Sequence, residues 1–367
     1  MTNAMSTKRI LSAQAAAPRP SIQIAGRQVG GGGPAYLIAE VAQAHDGSLG
    51  LAHRFIDAAK EAGADAVKFQ THFADEESTL DESFRVKFSN QDETRFAYWK
   101  RMEFADEQWF GLASHAREIG IGFLSSAFSH RAVELLERLD MPAWKIASGE
   151  VASDALLDRM VATGKPVLMS TGMSGYGEIE TTLGRLRKAG APVAVLQCTS
   201  RYPTSLEEVG LNVIGELRER FACPAGLSDH SGVVFPALLA MAKGADIIEA
   251  HITLSRRMFG PDVSSSLTVE EFAHVREARD AFQTMEAHPI DKDAMALALA
   301  DMRQLFQKSV AVVRPLAEGT LLTRDMLTAK KPAKGIPVSE IDALVGKRLK
   351  RSAAPDRILY WEDIHEE

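Results

Sequence analysis

Gly63-Ala-Asp-Ala-Val-Lys-Phe-Gln-Thr71 is the stretch on which the architecture turns. A glycine ends the amphipathic stretch 49–62, as glycine commonly ends a helix. The β-rich run 66–71 follows and finishes in the polar residues Lys68 and Gln70. The same texture recurs at 35–41, 122–126, 143–148, 166–170, 193–199, 225–229 and 246–252, which makes eight such runs. Amphipathic stretches lie between them at 106–119, 131–139 and 176–189, with apolar spacing near 3.6. Eight strand–helix units within about 250 residues predict a (β/α)8 barrel, the TIM-barrel architecture. A doubly wound open sheet is the competing α/β arrangement. It is disfavoured because no glycine-rich dinucleotide fingerprint follows the first run.

Outward from this repeat, Ser21-Ile-Gln-Ile alternates, Ala25-Gly26-Arg27 turns, and four glycines at 30–33 break the chain, which predicts an N-terminal hairpin. Residues 1–20 are rich in Ala, Ser and Pro. Their apolar part is interrupted by Ser12 and Gln14, so they read as a disordered tail rather than a signal peptide. The helical stretch 269–285 closes the repeat. The chain therefore divides into a tail (1–20), a barrel with its hairpin (21–285), a linker (286–307) and a compact, strand-rich module (308–367).

The 367 residues are 46% hydrophobic and 25% charged, ample for a buried core. A net charge of −7 argues against a general binder of nucleic acid or of anionic membranes. Cys198 and Cys223 are the only cysteines, too few for a disulfide scaffold, and a reducing cytoplasm fits. The longest apolar run, 233–242, is too short to span a bilayer and reads as a buried helix.

In such a barrel the reactive face lies at the carboxyl ends of the strands. Glu40 ends the first run and Lys68 and Gln70 the second. Ser125, Ser126 and nearby Phe128 follow the third, and Lys145, Ser148 and Glu150 the fourth. Thr171 follows the fifth, and Gln197, Thr199 and Tyr202 the sixth. Ser228, Asp229 and His230 end the seventh, and Glu249 and His251 the eighth. Each has a bland explanation alone, as a helix cap or an ordinary ion pair. Converging on one rim, two lysines, three glutamates and two histidines must be paired or used. His230 and His251 lie one strand–helix–strand step apart. On spacing alone they serve equally as ligands of a divalent cation or as hydrogen-bonded histidines of structural or acid–base type. No cysteine stands among these strand-end groups, which disfavours a thiolate zinc site. Lys68, Lys145, Ser148 and Ser228 suit an anion, although either lysine also suits a Schiff base.

From residue 21 to the C-terminus the chain resembles the N-acetylneuraminate synthase (sialic acid synthase) family. The resemblance is carried, in order, by Ile38-Ala-Glu, His45-Asp-Gly-Ser, Gly63-Ala-Asp-Ala-Val-Lys-Phe-Gln-Thr, Pro142-Ala-Trp-Lys-Ile-Ala-Ser-Gly-Glu, Ser170-Thr-Gly-Met, Cys198-Thr-Ser-Arg-Tyr-Pro-Thr, Gly226-Leu-Ser-Asp-His-Ser, Glu249-Ala-His-Ile-Thr and Gly260-Pro-Asp. Lys330-Lys-Pro, Gly335-Ile, Gly346-Lys and Trp361-Glu-Asp-Ile resemble the antifreeze-like (SAF) domain appended to these synthases.

The resemblance implies condensation of phosphoenolpyruvate with N-acetylmannosamine or a related 2-acetamido aldehyde to give a nine-carbon sugar acid. It implies a cytoplasmic, domain-swapped homodimer in which the small domain caps the partner's site. It also implies a divalent metal, Mn2+ or Mg2+, on His230 and His251. Phosphoenolpyruvate would rest on Lys68, Lys145, Ser148 and Ser228, with Ser126 nearby. Gln70, Asn90, Phe128, Tyr202 and Asp262 would line the sugar side. Glu40, Glu150 and Lys68 are the expected catalytic groups, Glu150 handling a proton at the enolpyruvate. Three departures bear on the sugar. Ala44-His-Asp-Gly stands for the family's Asn-His-Asn-Gly, Ser200 for an Asn, and Lys331 for an Arg that would grip the N-acyl group as a fork rather than a point charge. Legionaminate and pseudaminate synthases remain open, as does a 3-deoxy acid synthase using an aldose phosphate. A binding protein that has lost catalysis is the reading from another class.

Overall fold

The computed structural model describes residues 19–84 and 87–365. The expected tail, apart from Arg19 and Pro20, lies outside the described residues. The described residues form two compact units that divide between Ala287 and His288.

The first unit is a closed barrel of eight parallel strands: β1 (Tyr36–Ala42), β2 (Ala66–Thr71), β3 (Gly122–Ala127), β4 (Trp144–Ile146), β5 (Val167–Ser170), β6 (Val193–Cys198), β7 (Ala225–Asp229) and β8 (Ile247–Thr253). Each strand pairs with the next, and β8 pairs with both β7 and β1, which closes the ring. Helices return the chain along the outside: α1 (Leu49–Glu61), α2 (Asp106–Glu118), α3 (His130–Arg138), α4 (Asp154–Ala162), α5 (Tyr176–Lys188), α6 (Leu211–Phe221), α7 (Phe235–Ala242) and α8 (Val269–Ala287). Side-chain oxygens of Ser48 and Ser129 accept the first free N–H groups of α1 and α3. Helix α7 starts with Pro236 in its first turn, where a missing N–H costs nothing. Only one of its faces is buried. Phe235 and Leu239 are exposed, so the run expected to be a buried helix is only half covered and leaves an apolar face open.

Strand alternation sorts the side chains into two layers. Leu37, Ala39, Val67, Phe69, Phe123 and Trp144 face the helices and join the main core. Tyr36, Ile38, Ala66, Leu124, Ala143, Leu168, Ala194, Leu196 and Ile247 point inward near the strand starts. The hairpin of Ser21–Ile24 and Arg27–Gly30 adds Ile22, Ile24 and Val29 to that inner layer and so plugs the amino-terminal mouth. The floor of the barrel is therefore apolar, and polar inward positions are left only toward the strands' carboxyl ends.

The second unit begins with two short helices, Lys292–Ala298 and Ala300–Phe306. It continues with the antiparallel strands Ser309–Val312 and Leu327–Lys330. The rest pairs through single bridges such as Leu316 with Ala353 and Leu349 with Ile364. Its own core holds Val310, Val312, Leu322, Ile336, Leu344, Leu349 and Leu359. Among the described residues no helix is long and apolar enough to cross a membrane.

Candidate active site

The alternation that buries Tyr36 and Ile38 in the barrel floor carries on to Glu40. In the same way Ala66 leads to Lys68 and Gln70, Leu124 to Ser126, Ala143 to Lys145 and Ile247 to Glu249 and His251. Inter-strand register then sets neighbours: Glu40 is level with Lys68 on one side and with His251 on the other. Ser126 is level with Gln70 and Lys145, and Ser228 with Cys198 and Glu249.

These side chains open on a cavity of about 680 Å³ at the carboxyl ends of the strands. Glu40, Lys68, Gln70, Ser126, Phe128 and Lys145 line it. So do Ser148, Glu150, Tyr202, Ser228, His230, His251 and Asp262. One expected residue is not brought in. Asn90 is exposed and does not line the cavity. Lys331 belongs to the second unit, where its ammonium sits 4.9 Å from the Phe306 ring centre. Ser148 and Glu150 also differ from expectation in detail: β4 stops at Ile146, and both lie in the 3-10 turn Ser148–Glu150.

At the centre, Lys68 Nζ lies 2.6 Å from Glu40 Oε2 and 3.7 Å from Glu249 Oε1. Lys145 Nζ is 3.6 Å from the same Glu249 oxygen and donates to Ser170 Oγ at 2.7 Å. Ser228 Oγ donates to Glu249 at 3.2 Å. Glu249 thus joins both lysines. The sequence marked it as a strand-end residue but gave it no role, because a lone glutamate has no meaning until its partners are placed.

Desolvation acts first on each group. It pushes the Glu40 carboxyl up to about 7, with Lys68 pulling it back and Glu249 adding to the rise. Burial lowers Lys68 too, but Glu249 and Glu40 outweigh it and hold the ammonium above the usual lysine value. A raised Glu40 and a raised Lys68 compete for one charge. Glu249 faces Lys68 as well, so the ammonium persists and Glu40 is the carboxyl able to carry a proton. Burial wins at Lys145, which is lowered despite Glu249. At Glu249 burial is outweighed by Lys145 and Lys68, and the carboxyl stays below its usual value.

The rings of His230 and His251 have centres 5.2 Å apart, and the Tyr202 ring lies 4.2 Å from that of His230. His230 Nδ1 donates to the Thr199 carbonyl oxygen at 3.0 Å. Burial lowers this ring, but Cys198 and the Thr199 carbonyl outweigh it and raise His230 above the usual imidazole value, so Nε2 becomes a ligand when a cation displaces its proton. Burial, with the charges of His230 and both lysines, keeps His251 well below the usual imidazole value and hence neutral. Two imidazoles in one polar cavity are a donor set that fits a divalent cation. Among the described residues no cluster of three or more His, Cys, Asp or Glu side chains forms a metal cage, so waters or substrate oxygens would complete the shell.

On the far side of Lys145, Ser148 Oγ accepts the Gly172 N–H at 3.0 Å and faces Cys198 Sγ at 3.5 Å. A β-carbon on Gly172 would lie 2.7 Å from Cys198 Sγ and 2.9 Å from Ser148 Oγ, so glycine keeps this cradle open. Ser153 Oγ donates to Glu150 at 2.5 Å. The remaining wall comes from residues the sequence did not single out. Gln43, His72, Tyr98, Trp99 and Met173 all line the cavity, and most belong to the long segment between β2 and α2. Its unusual length is the one signal that pointed there.

Residues 55–289 match the NeuB family, and residues 307–365 match the SAF domain. The chain belongs to the NeuB family. The human N-acetylneuraminate-9-phosphate synthase is 35% identical to it, over 92% of this chain and 94% of that one. The N,N'-diacetyllegionaminic acid synthase of Legionella pneumophila is 31% identical, over 90% and 94%. Among solved structures, the N-acetylneuraminic acid (sialic acid) synthetase of Leptospira borgpetersenii in complex with citrate superposes with a TM-score of 0.68. It is 28% identical, over 78% of this chain and 96% of that one. The NeuB-family barrel and the SAF module are thus both present in one chain, as the motifs implied.

Proposed function

We propose that this chain condenses phosphoenolpyruvate with N-acetylmannosamine or a related 2-acetamido sugar aldehyde and water, giving a nonulosonic acid and inorganic phosphate. The observation that carries this reading is the convergence of two buried lysines and two histidines on one cavity, with a protonatable carboxyl between them. It is supported by relatives named for sialic, legionaminic and pseudaminic acid synthesis.

In this reading Lys68 and Lys145 hold the carboxylate and phosphate of phosphoenolpyruvate, and Ser148 and Ser228 donate hydrogen bonds to them. No Schiff base is needed. The enolpyruvate methylene carbon forms the new bond to the aldehyde carbon, and the resulting alkoxide takes a proton from Glu40, whose raised value suits it to give one. Water adds at the former enol carbon, and Glu150 accepts its proton. The hydroxyl so formed then gives its proton to the departing phosphate as the carbon–oxygen bond to phosphate breaks, leaving a keto group and inorganic phosphate. Gln70, Phe128, Tyr202 and Asp262 orient the sugar. A Mn2+ or Mg2+ ion held by His230 and His251 would supply Lewis-acid polarisation of the aldehyde oxygen.

We extend the reading to a cytoplasmic homodimer in which the SAF module of one copy covers the cavity of the other. Leu297 and Phe306, at the start of the second unit, are 77% and 60% exposed, and such apolar exposure supports self-association. Phosphate release from phosphoenolpyruvate, measured across a panel of amino-sugar aldehydes with and without chelator, tests the reaction. Release with a manno-configured 2-acetamido aldehyde supports it, and no release with any amino sugar overturns it.

A further inference from the structure

One wall of the cavity is a column of four stacked groups. The Arg95 guanidinium lies 5.1 Å from the Trp99 ring centre, Trp99 stacks on His72 at 4.1 Å, and His72 stacks on Phe128 at 4.3 Å, the last two rings only 11° from parallel. The column ties the segment between β2 and α2 to the rim after β3. Such face-to-face contacts fix a ring's plane and leave only its edge to make hydrogen bonds.

Both edges of the His72 ring are in use. Nδ1 faces Glu77 Oε2 at 2.6 Å, and the other Glu77 oxygen accepts the Phe73 N–H at 2.7 Å, which anchors the carboxylate. Nε2 faces the side-chain oxygen of Gln70 at 3.4 Å; since both facing atoms are acceptors, the ring that fits this geometry donates from both nitrogens, as an imidazolium paired with Glu77. His72 is buried, and the sandwich holds it where it can neither swing nor tilt. Because the carboxamide oxygen of Gln70 is turned toward the ring, its NH2 group is the end left for the cavity.

We infer that His72 is a positioning residue for sugar recognition: clamped between Trp99 and Phe128 and anchored by Glu77, it fixes the Gln70 carboxamide so that its NH2 is offered to an acceptor oxygen of the amino-sugar aldehyde. This rests on the proposed condensation and adds to it a three-residue chain, Glu77 to His72 to Gln70, that selects an acceptor such as an acyl carbonyl or a ring-chain hydroxyl. Phosphoenolpyruvate, held by the lysines, does not depend on the chain. The effect therefore falls on one substrate only.

The test uses the full chain and steady-state phosphate release, with each substrate varied in turn, on His72→Leu, His72→Gln, His72→Asn and Glu77→Gln. Glutamine places an amide where Nε2 was, and asparagine places one where Nδ1 was. His72→Leu is expected to raise KM for the sugar about tenfold while KM for phosphoenolpyruvate moves less than about twofold. His72→Gln is expected to recover most of that loss and His72→Asn little of it, with Glu77→Gln intermediate. Equal changes in both KM values, or equal recovery by Gln and Asn, overturn the positioning role and assign His72 to packing alone. A wild-type chain that releases no phosphate with any amino sugar overturns the condensation reading, and this inference with it. An active wild type beside unchanged variants overturns only this one.

Discussion

Glu40 and Lys68 are register partners on neighbouring strands, and their charged ends meet at 2.6 Å where almost no solvent reaches. Removing one member of a buried ion pair ordinarily costs about 3–5 kcal/mol, because a charge is left stranded. Here the stranded group is a carboxyl that burial already pushes up to about 7. Lys68→Met is therefore expected to be tolerated in stability, with Glu40 taking a proton. Its kcat/KM for phosphoenolpyruvate should nonetheless fall by a factor of about 100 or more, as one buried cation is lost from the anion's grip. Calorimetric unfolding beside phosphate-release kinetics checks both halves. A large loss of Tm with unchanged phosphoenolpyruvate kinetics would contradict both.

Metal dependence separates the histidines from the lysines. Stripping divalent ions is expected to abolish turnover, and Mn2+ or Mg2+ to restore it. His230→Gln and His251→Gln should lose that restoration. Binding of phosphoenolpyruvate, followed by calorimetric titration, should weaken less than about tenfold in both variants, since Lys68 and Lys145 remain to hold it. Unchanged turnover in the presence of chelator would remove the ion from the reaction.

Why part of this site was legible in the sequence and part was not has a physical answer. A barrel strand announces itself locally: an apolar run that turns polar at its carboxyl end, followed by a helix. Repeated eight times, that fixes which residues share a rim, so Lys68, Lys145, His230 and His251 were readable. His72, Trp99 and Phe128 were not read as a unit, because their conformation is set by stacking between distant segments rather than by any periodicity. Glu249 was visible but mute until both lysines stood beside it. The hairpin was readable as a hairpin; its use as the barrel's plug follows only from where Ile22, Ile24 and Val29 land.

Gly226 begins the Gly226-Leu-Ser-Asp-His segment, and its place in β7 requires the absence of a side chain. A β-carbon there would overlap the Ile247 carbonyl oxygen on β8 and lie 2.8 Å from Leu196 Cδ2 on β6. Backbone contact of this kind cannot be relieved by a rotamer change. Gly226→Ala is expected to destabilise the barrel by about 3 kcal/mol, at the upper end for overpacking. Because Ser228 and His230 lie just beyond, activity should fall as well. Denaturant unfolding of wild type and variant gives the number. A change below about 0.5 kcal/mol would mean that β7 and β8 separate more easily than their pairing suggests.

In the second unit the side chain of Asp363 is fully buried and gathers several donors. Its Oδ2 accepts the Tyr360 N–H at 2.8 Å, and its Oδ1 takes Arg357 at 3.1 Å and Arg351 beside it. Burial pushes the carboxyl up, but the Tyr360 N–H and the two guanidiniums outweigh it, so the folded value lies below that of an ordinary aspartate. A carboxyl depressed on folding contributes stability that is complete above its unfolded value, about 3.9, and that is lost as pH falls through the folded value. Both arginines are partly exposed, so solvent screens their share and the N–H bond from Tyr360 matters most. The segment around residues 347–365 is therefore expected to stay protected down to about pH 4 and to open below it. Asp363→Asn should be less stable at neutral pH and should show a flatter response to acid, since the titrating charge is gone. Hydrogen exchange at Lys350, whose N–H donates to the Asp363 carbonyl, reports on the opening. Equal acid sensitivity in wild type and Asp363→Asn would place the titration elsewhere in the module.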